Sequence, residues 1–79
     1  MSNEEKYVQA FVNAFGISED AAKTLEFQAI EEWDSVGHMG LIAEIEEAFD
    51  IMMETEDIID LSSYEKGKEI LSANYGVTF

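Results

Sequence analysis

Apolar residues recur at helical spacing along most of this 79-residue chain, and this periodicity constrains the fold more than any other feature. Ser2 and Glu5 fit the S-x-x-E capping box, and Gly16 lies where a first helix would stop. The apolar face between them consists of Tyr7, Phe11, Ala14 and Phe15.

A second helix is expected to begin at Asp34 or Ser35 and to end near Asp50. Aspartate is a favourable N-cap residue, which supports that start. Glu44 and Glu47 are predicted to face away from the core. The predicted apolar stripe of this helix consists of Met39, Ile42, Ile45 and Phe49.

The rest of the chain is predicted to contain a long loop and two more helices. Residues 17–33 are irregular and are expected to form a loop with one helical turn after Ser18. Thr55, followed by two acids, is a candidate cap for a short third helix, and Ser62 with Glu65 repeats the capping box for the last one. The buried side of the third helix is expected to consist of Ile58, Ile59 and Leu61.

These elements predict an all-α fold, a small four-helix bundle with three main helices, one short helix and a long loop between the first and second. Residues 1–79 are expected to form a single domain, because the glycines are scattered and nothing resembles a linker. A domain of this size is too small for a deep cleft between two lobes. A binding or carrier module is therefore favoured over a self-sufficient enzyme.

Charge and composition narrow the classes of partner. Eighteen acidic residues against four lysines give a formal net charge of −14, which repels nucleic acid and anionic membrane surfaces and favours partners with basic patches. The 47% of apolar residues is enough for a core. With no cysteine and no apolar run of membrane-spanning length, we expect a cytoplasmic, monomeric protein without disulfides, zinc-thiolate sites or membrane insertion.

Ser35, directly after Asp34, is the candidate functional residue, because a helix N-terminus favours a negatively charged group such as a phosphate. The alternative is that the pair only starts a helix. A catalytic set with His38 fails on geometry, since all three side chains lie on one helical turn, and no G-x-S-x-G motif is present. His38 is expected to be exposed or half-buried. No calcium-loop pattern occurs, so no metal site is predicted.

The stretch WDSVGHMGLIAEIEEAFDI, residues 33–51, resembles the segment around the modified serine of acyl carrier proteins. The likeness extends over nearly the whole chain, through the first helix, the long loop, the Asp-Ser helix, the short acidic helix around METEDIIDL and the final helix. It implies that Ser35 receives 4′-phosphopantetheine from coenzyme A through a phosphopantetheinyl transferase. It also implies that the protein is a non-catalytic carrier of acyl thioesters.

The resemblance further implies roles for neighbouring residues. Asp34 would cap the helix and contact the transferase, and Val36 would pack against partner enzymes. An acidic surface would dock on basic patches of acyl-loading and acyl-transfer enzymes; it consists of Glu44, Glu47, Glu54, Glu56 and Asp57. A further set could line a cavity for the acyl chain or simply fill the core: Met39, Ile42, Met53, Ile58 and Ile59.

Two glycines depart from the family pattern. Gly40 replaces an acid that housekeeping carriers often present, and Gly37 lies one turn earlier. Alanine at both positions is expected to stabilise the helix, and the bare surface suggests a specialised fatty acid, polyketide, lipid or cell-surface pathway with a closely approaching partner. Aminoacyl or D-alanyl cargo is an alternative. So is an acidic interaction module without a prosthetic group, which would tolerate Ser35→Ala.

Overall fold

The structure, a computed structural model, describes all 79 residues and contains five helices. They are α1 (Asn3–Phe15), α2 (Glu19–Ala22), α3 (Ser35–Phe49), α4 (Thr55–Asp60) and α5 (Tyr64–Asn74). The predicted all-α bundle is confirmed. The four predicted helices are α1, α3, α4 and α5, and the single turn expected in the long loop is α2. None of these helices has the length and apolar character needed to cross a membrane.

Local capping explains the ends of the first and third helices. Both halves of the Ser2–Glu5 capping box are formed, and Gly16 closes α1 in the left-handed conformation with φ of 65°. Asp34 accepts a hydrogen bond from the Gly37 N–H, which starts α3 at Ser35. Asp50 ends α3 with φ of 53°.

The last helix starts one residue later than predicted. Its cap is Ser63, whose Oγ accepts from the Lys66 N–H, whereas Ser62 makes no cap. The reason is a long-range pairing: the Phe27 N–H donates to the Ser62 carbonyl at 2.8 Å, and the Tyr64 N–H donates to the Leu25 carbonyl at 2.9 Å. This antiparallel bridge keeps Ser63 extended and ties the long loop to the start of α5.

The core lies between α1, α3 and α5 and is rich in aromatic rings. Trp33 is fully buried, with its ring centroid 5.6 Å from that of Phe11 and 5.3 Å from that of Phe15. The hydroxyl of Tyr7 is buried as well, and it donates to the carbonyl of Tyr64 at 2.7 Å. Burial raises the pKa of Tyr7, so this hydroxyl stays protonated and available as a donor.

The face that α3 turns to the core differs from the predicted stripe. Leu41, Ile42 and Ile45 are buried, whereas Met39 is 53% exposed. Helical spacing extends this face back to His38, which is half-buried. Because a histidine occupies that position, counting only apolar residues moved the predicted stripe towards Met39.

The fourth helix buries no side chain. Ile59 is 73% exposed and Ile58 is half-buried, so of the predicted apolar side only Leu61, just after the helix, belongs to the core. Glu54 occupies the N-cap position without a side-chain cap, and Thr55 is the first helical residue rather than the cap. A six-residue helix presents too few turns for apolar spacing to define a buried face.

The chain ends are joined through α5. Lys68 forms an ion pair with Glu4 at 2.6 Å, and the Tyr64 hydroxyl donates to the same carboxylate. Hydrogen bonds from Lys68 and then Tyr64 hold the pKa of Glu4 below its ordinary value. Phe79 packs its ring against Tyr7 of α1 and Phe49 of α3, so the C-terminal segment reaches both helices.

Candidate functional site

Ser35 is the first residue of α3 and is exposed to solvent. Its hydroxyl has no hydrogen-bond partner within the protein, whereas the Asp34 carboxylate is engaged by the Gly37 N–H at 2.8 Å. The backbone carbonyl of Asp34 accepts from the His38 N–H, also at 2.8 Å. The helix start is therefore fixed by Asp34, and the serine hydroxyl is left free at the positive end of the helix dipole.

Gly37 is required by the packing of this helix start. A Cβ at position 37 would collide with the backbone carbonyl oxygen of Glu32, in the loop that leads to the site. The prediction that alanine at position 37 would stabilise the protein is therefore wrong, because the close neighbour is this chain's own loop. At Gly40 a Cβ would meet nothing within 4 Å, so the prediction for that position stands.

An open cavity of about 450 Å³ adjoins Ser35 between α3 and α4. Its volume falls within the range that is usual for small-molecule sites. Five of its eight lining residues are hydrophobic, and the complete lining consists of Phe27, Ser35, His38, Met39, Ile58, Ile59, Leu61 and Ser62. The arrangement therefore places an unengaged hydroxyl at the edge of an apolar surface.

The structure brings together three of the five residues predicted for an acyl cavity. Met39, Ile58 and Ile59 line it, whereas Ile42 and Met53 are 1% and 7% exposed, belong to the core and are not part of the lining. Of the other lining residues, Ser35 was predicted as the attachment point, whereas the following were not predicted to line a cavity: Phe27, His38, Leu61 and Ser62. Helical spacing had no means of placing loop residues such as Phe27 beside α4, because the bridge between the loop and the start of α5 is what brings them there.

His38 makes two hydrogen bonds inside this site. Its Nδ1 lies 2.9 Å from the indole Nε1 of Trp33, and its Nε2 lies 2.6 Å from the carbonyl oxygen of Ile58 in α4. The imidazole and indole rings are nearly parallel, with an interplanar angle of 13° and ring centroids 6.1 Å apart. His38 is half-buried, one of the two placements expected from the sequence, but neither hydrogen-bond partner was predicted.

The predicted partner-contact residues lie at the start of α3, in its C-terminal half and at the start of α4. Val36 is 83% exposed beside Ser35, and Glu54 and Glu56 are exposed at the start of α4. Glu44 and Glu47 line a different groove, between α1 and α3, roughly 14 and 18 Å along the helix axis from Ser35 at 1.5 Å per residue.

Asp57 is engaged within the chain, where it accepts hydrogen bonds from the Asn74 amide at 3.0 Å and the Tyr75 hydroxyl at 2.7 Å. No cluster of three or more histidine, aspartate or glutamate side chains is arranged to hold a metal ion. Comparison of the chain with protein families, with curated proteins and with solved structures finds no match.

Proposed function

We propose that the protein is an acyl carrier, which holds acyl groups as thioesters on a 4′-phosphopantetheine arm attached to Ser35. The observation that carries the proposal is the unengaged, exposed Ser35 hydroxyl at the edge of an apolar cavity. An attachment point needs access for a transferase and tolerance of a phosphodiester, and it needs no neighbouring base. These requirements separate it from a hydrolytic serine, which depends on a histidine within hydrogen-bond reach.

The first turn of α3 suits the phosphodiester that such an arm would introduce. Helix N-termini offer unpaired N–H groups and a positive dipole end, which stabilise a nearby negative charge. The Asp34 carboxylate accepts from the Gly37 N–H. Because Asp34 is exposed and directly precedes Ser35, a transferase that binds at Ser35 could also contact it. The arm would supply the thiol that this chain lacks, since the sequence has no cysteine.

The cavity lining supports acyl cargo over aminoacyl or D-alanyl cargo. Its hydrophobic members offer no charged group that would pair with the ammonium of an aminoacyl thioester. The exposed Gly40, with open space around it, supports a specialised biosynthetic pathway whose enzymes approach α3 closely. The arm itself would supply the thioester chemistry, while the protein would position it.

Partner enzymes would carry basic docking patches. The net charge of −14 attracts such surfaces, and charge complementarity of this kind mainly accelerates encounter and weakens with salt. Val36 would supply an apolar contact beside the attachment point, next to Asp34, and Glu54 and Glu56 would add negative charge at the start of α4. Glu44 and Glu47 would serve a partner that extends along α3.

The test is intact-protein mass spectrometry after incubation with coenzyme A, magnesium and a broad-specificity phosphopantetheinyl transferase. The wild-type protein should gain the mass of one phosphopantetheinyl group, and Ser35→Ala should gain none. Ser62→Ala, which changes another serine of the same cavity, is the matched control and should be modified like the wild type.

The alternatives predict different results. An acidic interaction module would remain unmodified while a known carrier is modified in the same reaction, and that result would overturn the proposal. Modification of Ser35→Ala would show that the arm is attached elsewhere. Ester hydrolysis by the unmodified protein would instead indicate an enzyme.

A further inference from the structure

The hydrogen bonds of His38 fix its tautomer. The indole Nε1 of Trp33 can only donate, so the Nδ1 of His38, 2.9 Å away, must accept. The proton of a neutral imidazole then lies on Nε2, which donates to the Ile58 carbonyl at 2.6 Å. The two bonds form a directed chain from the indole, through the imidazole, to the backbone of α4.

The two groups that His38 joins, the Trp33 indole and the backbone of α4, differ in how firmly the rest of the protein holds them. Trp33 is 0% exposed and packs against two aromatic rings of α1. In contrast, α4 buries no side chain, and Ile58 is its one residue that packs, half-buried, against the core. Asp57 accepts hydrogen bonds from Asn74, the last residue of α5, and from Tyr75. The Ile58 carbonyl is bound to His38.

The position of α4 decides the shape of the cavity beside Ser35, because Ile58 and Ile59 form one of its walls. Met39 and His38 on α3 form the facing wall. Among the hydrogen bonds of the structure, the one from His38 is the bond that joins these two walls. Its loss would leave no hydrogen bond between α3 and α4.

We propose that His38 is the positioning residue of this cavity, which fixes the α4 wall by tying the Ile58 carbonyl to the buried indole of Trp33. That the cavity receives an acyl chain rests on the proposed function, but the positioning role does not. His38 touches no reacting atom in this role. It acts through α4, and it sets how far the apolar wall stands from Ser35.

Two substitutions of His38 test its two hydrogen bonds separately. His38→Gln places an amide N–H near the position of the histidine Nε2, so it can donate to Ile58 but cannot accept from the indole. His38→Asn places an amide oxygen near the position of Nδ1, so it can accept from Trp33 but is too short to reach Ile58. Met39→Leu, on the same wall and without a hydrogen bond, is the control.

The measurement is amide hydrogen exchange by NMR on the unmodified protein, with the indole N–H resonance of Trp33 followed in the same spectra. In His38→Asn the protection of the Ile58 and Leu61 amides should fall by about tenfold, the size expected for one lost hydrogen bond, while the indole resonance stays near its wild-type position. In His38→Gln the indole resonance should move and the α4 protection should persist. Met39→Leu should change neither.

Two results would overturn the proposal. The first is unchanged protection of Ile58 and Leu61 in His38→Asn. The second is an equal loss of protection in both variants that extends to the buried Ile45 of α3, which would show that His38 merely stabilises the whole fold. The same samples are also treated with coenzyme A and the transferase, which keeps the two proposals apart. If α4 loses protection in His38→Asn but not in His38→Gln, and the wild-type protein is not modified, the carrier function alone is refuted.

Discussion

At the scale of single residues, the glycines of α3 show how a backbone contact reverses an expectation drawn from helix propensity. Gly37 and Gly40 lie in the same helix, and propensity alone predicts that alanine stabilises both positions. The carbonyl of Glu32 occupies the space that a Cβ at position 37 would need, whereas position 40 is open. Helix propensity therefore predicts the effect of alanine only at position 40.

Gly40→Ala should therefore increase the free energy of unfolding by about 0.5–1 kcal/mol, the usual gain for such an exchange in a helix interior. Gly37→Ala should decrease it by about 1–3 kcal/mol, because the loop carbonyl or the first turn of α3 must shift. Urea denaturation of the two variants beside the wild type measures both values. A Gly37→Ala protein as stable as the wild type would refute the close contact.

The parts of the candidate site that were predictable from the sequence are those whose residues are neighbours in the chain. Asp34 and Ser35 were identified because a cap and the residue after it are neighbours in the chain. His38 was predicted to be exposed or half-buried and is half-buried, but its bond to Ile58 spans 20 positions and has no pattern in the sequence. The cavity wall was predicted in part, since Met39, Ile58 and Ile59 are apolar residues at helix positions, whereas Phe27 comes from a loop.

At the scale of elements, a helix end was predictable where a single candidate residue has its capping partner within four residues. The capping box at Ser2 and the left-handed Gly16 are such cases. The start of α5 was misplaced by one residue because Ser62 and Ser63 both suit a cap, and the choice between them is made by the distant backbone of Leu25 and Phe27. Tertiary pairing decided what the local pattern left open.

These two serines provide a matched pair of substitutions. Ser63→Ala removes the acceptor of the Lys66 N–H and should lower the free energy of unfolding by about 1 kcal/mol, a typical value for a lost N-cap. Ser62→Ala removes an exposed hydroxyl without a hydrogen bond and leaves its paired carbonyl in place, so stability should change by less than about 0.5 kcal/mol. Thermal and urea unfolding distinguish the two. Equal losses in both variants would place the helix start at neither serine.

At the scale of the whole molecule, the balance is between one aromatic-rich core and strong like-charge repulsion. Seventeen buried hydrophobic residues form a single cluster. Around it lies a surface with a net charge of −14, within a body that measures 30 × 27 × 18 Å. The ion pair between Lys68 and Glu4 is the only one present, so most carboxylates have no cationic partner within the chain.

Stability should therefore depend on ionic strength. The Debye length is about 30 Å at 10 mM salt and about 8 Å at 150 mM, so at low salt the carboxylates repel one another across the whole 30 Å body, whereas at higher salt only near neighbours do. Thermal unfolding should show a Tm that rises between these two NaCl concentrations, by about 4–8 °C for each 1 kcal/mol of repulsion removed. Combining Glu31→Gln with Glu32→Gln removes two adjacent exposed charges, so this variant should start from a higher Tm at low salt and gain less from NaCl. A wild-type Tm that is independent of NaCl would show that the core, rather than surface repulsion, limits the stability of this protein.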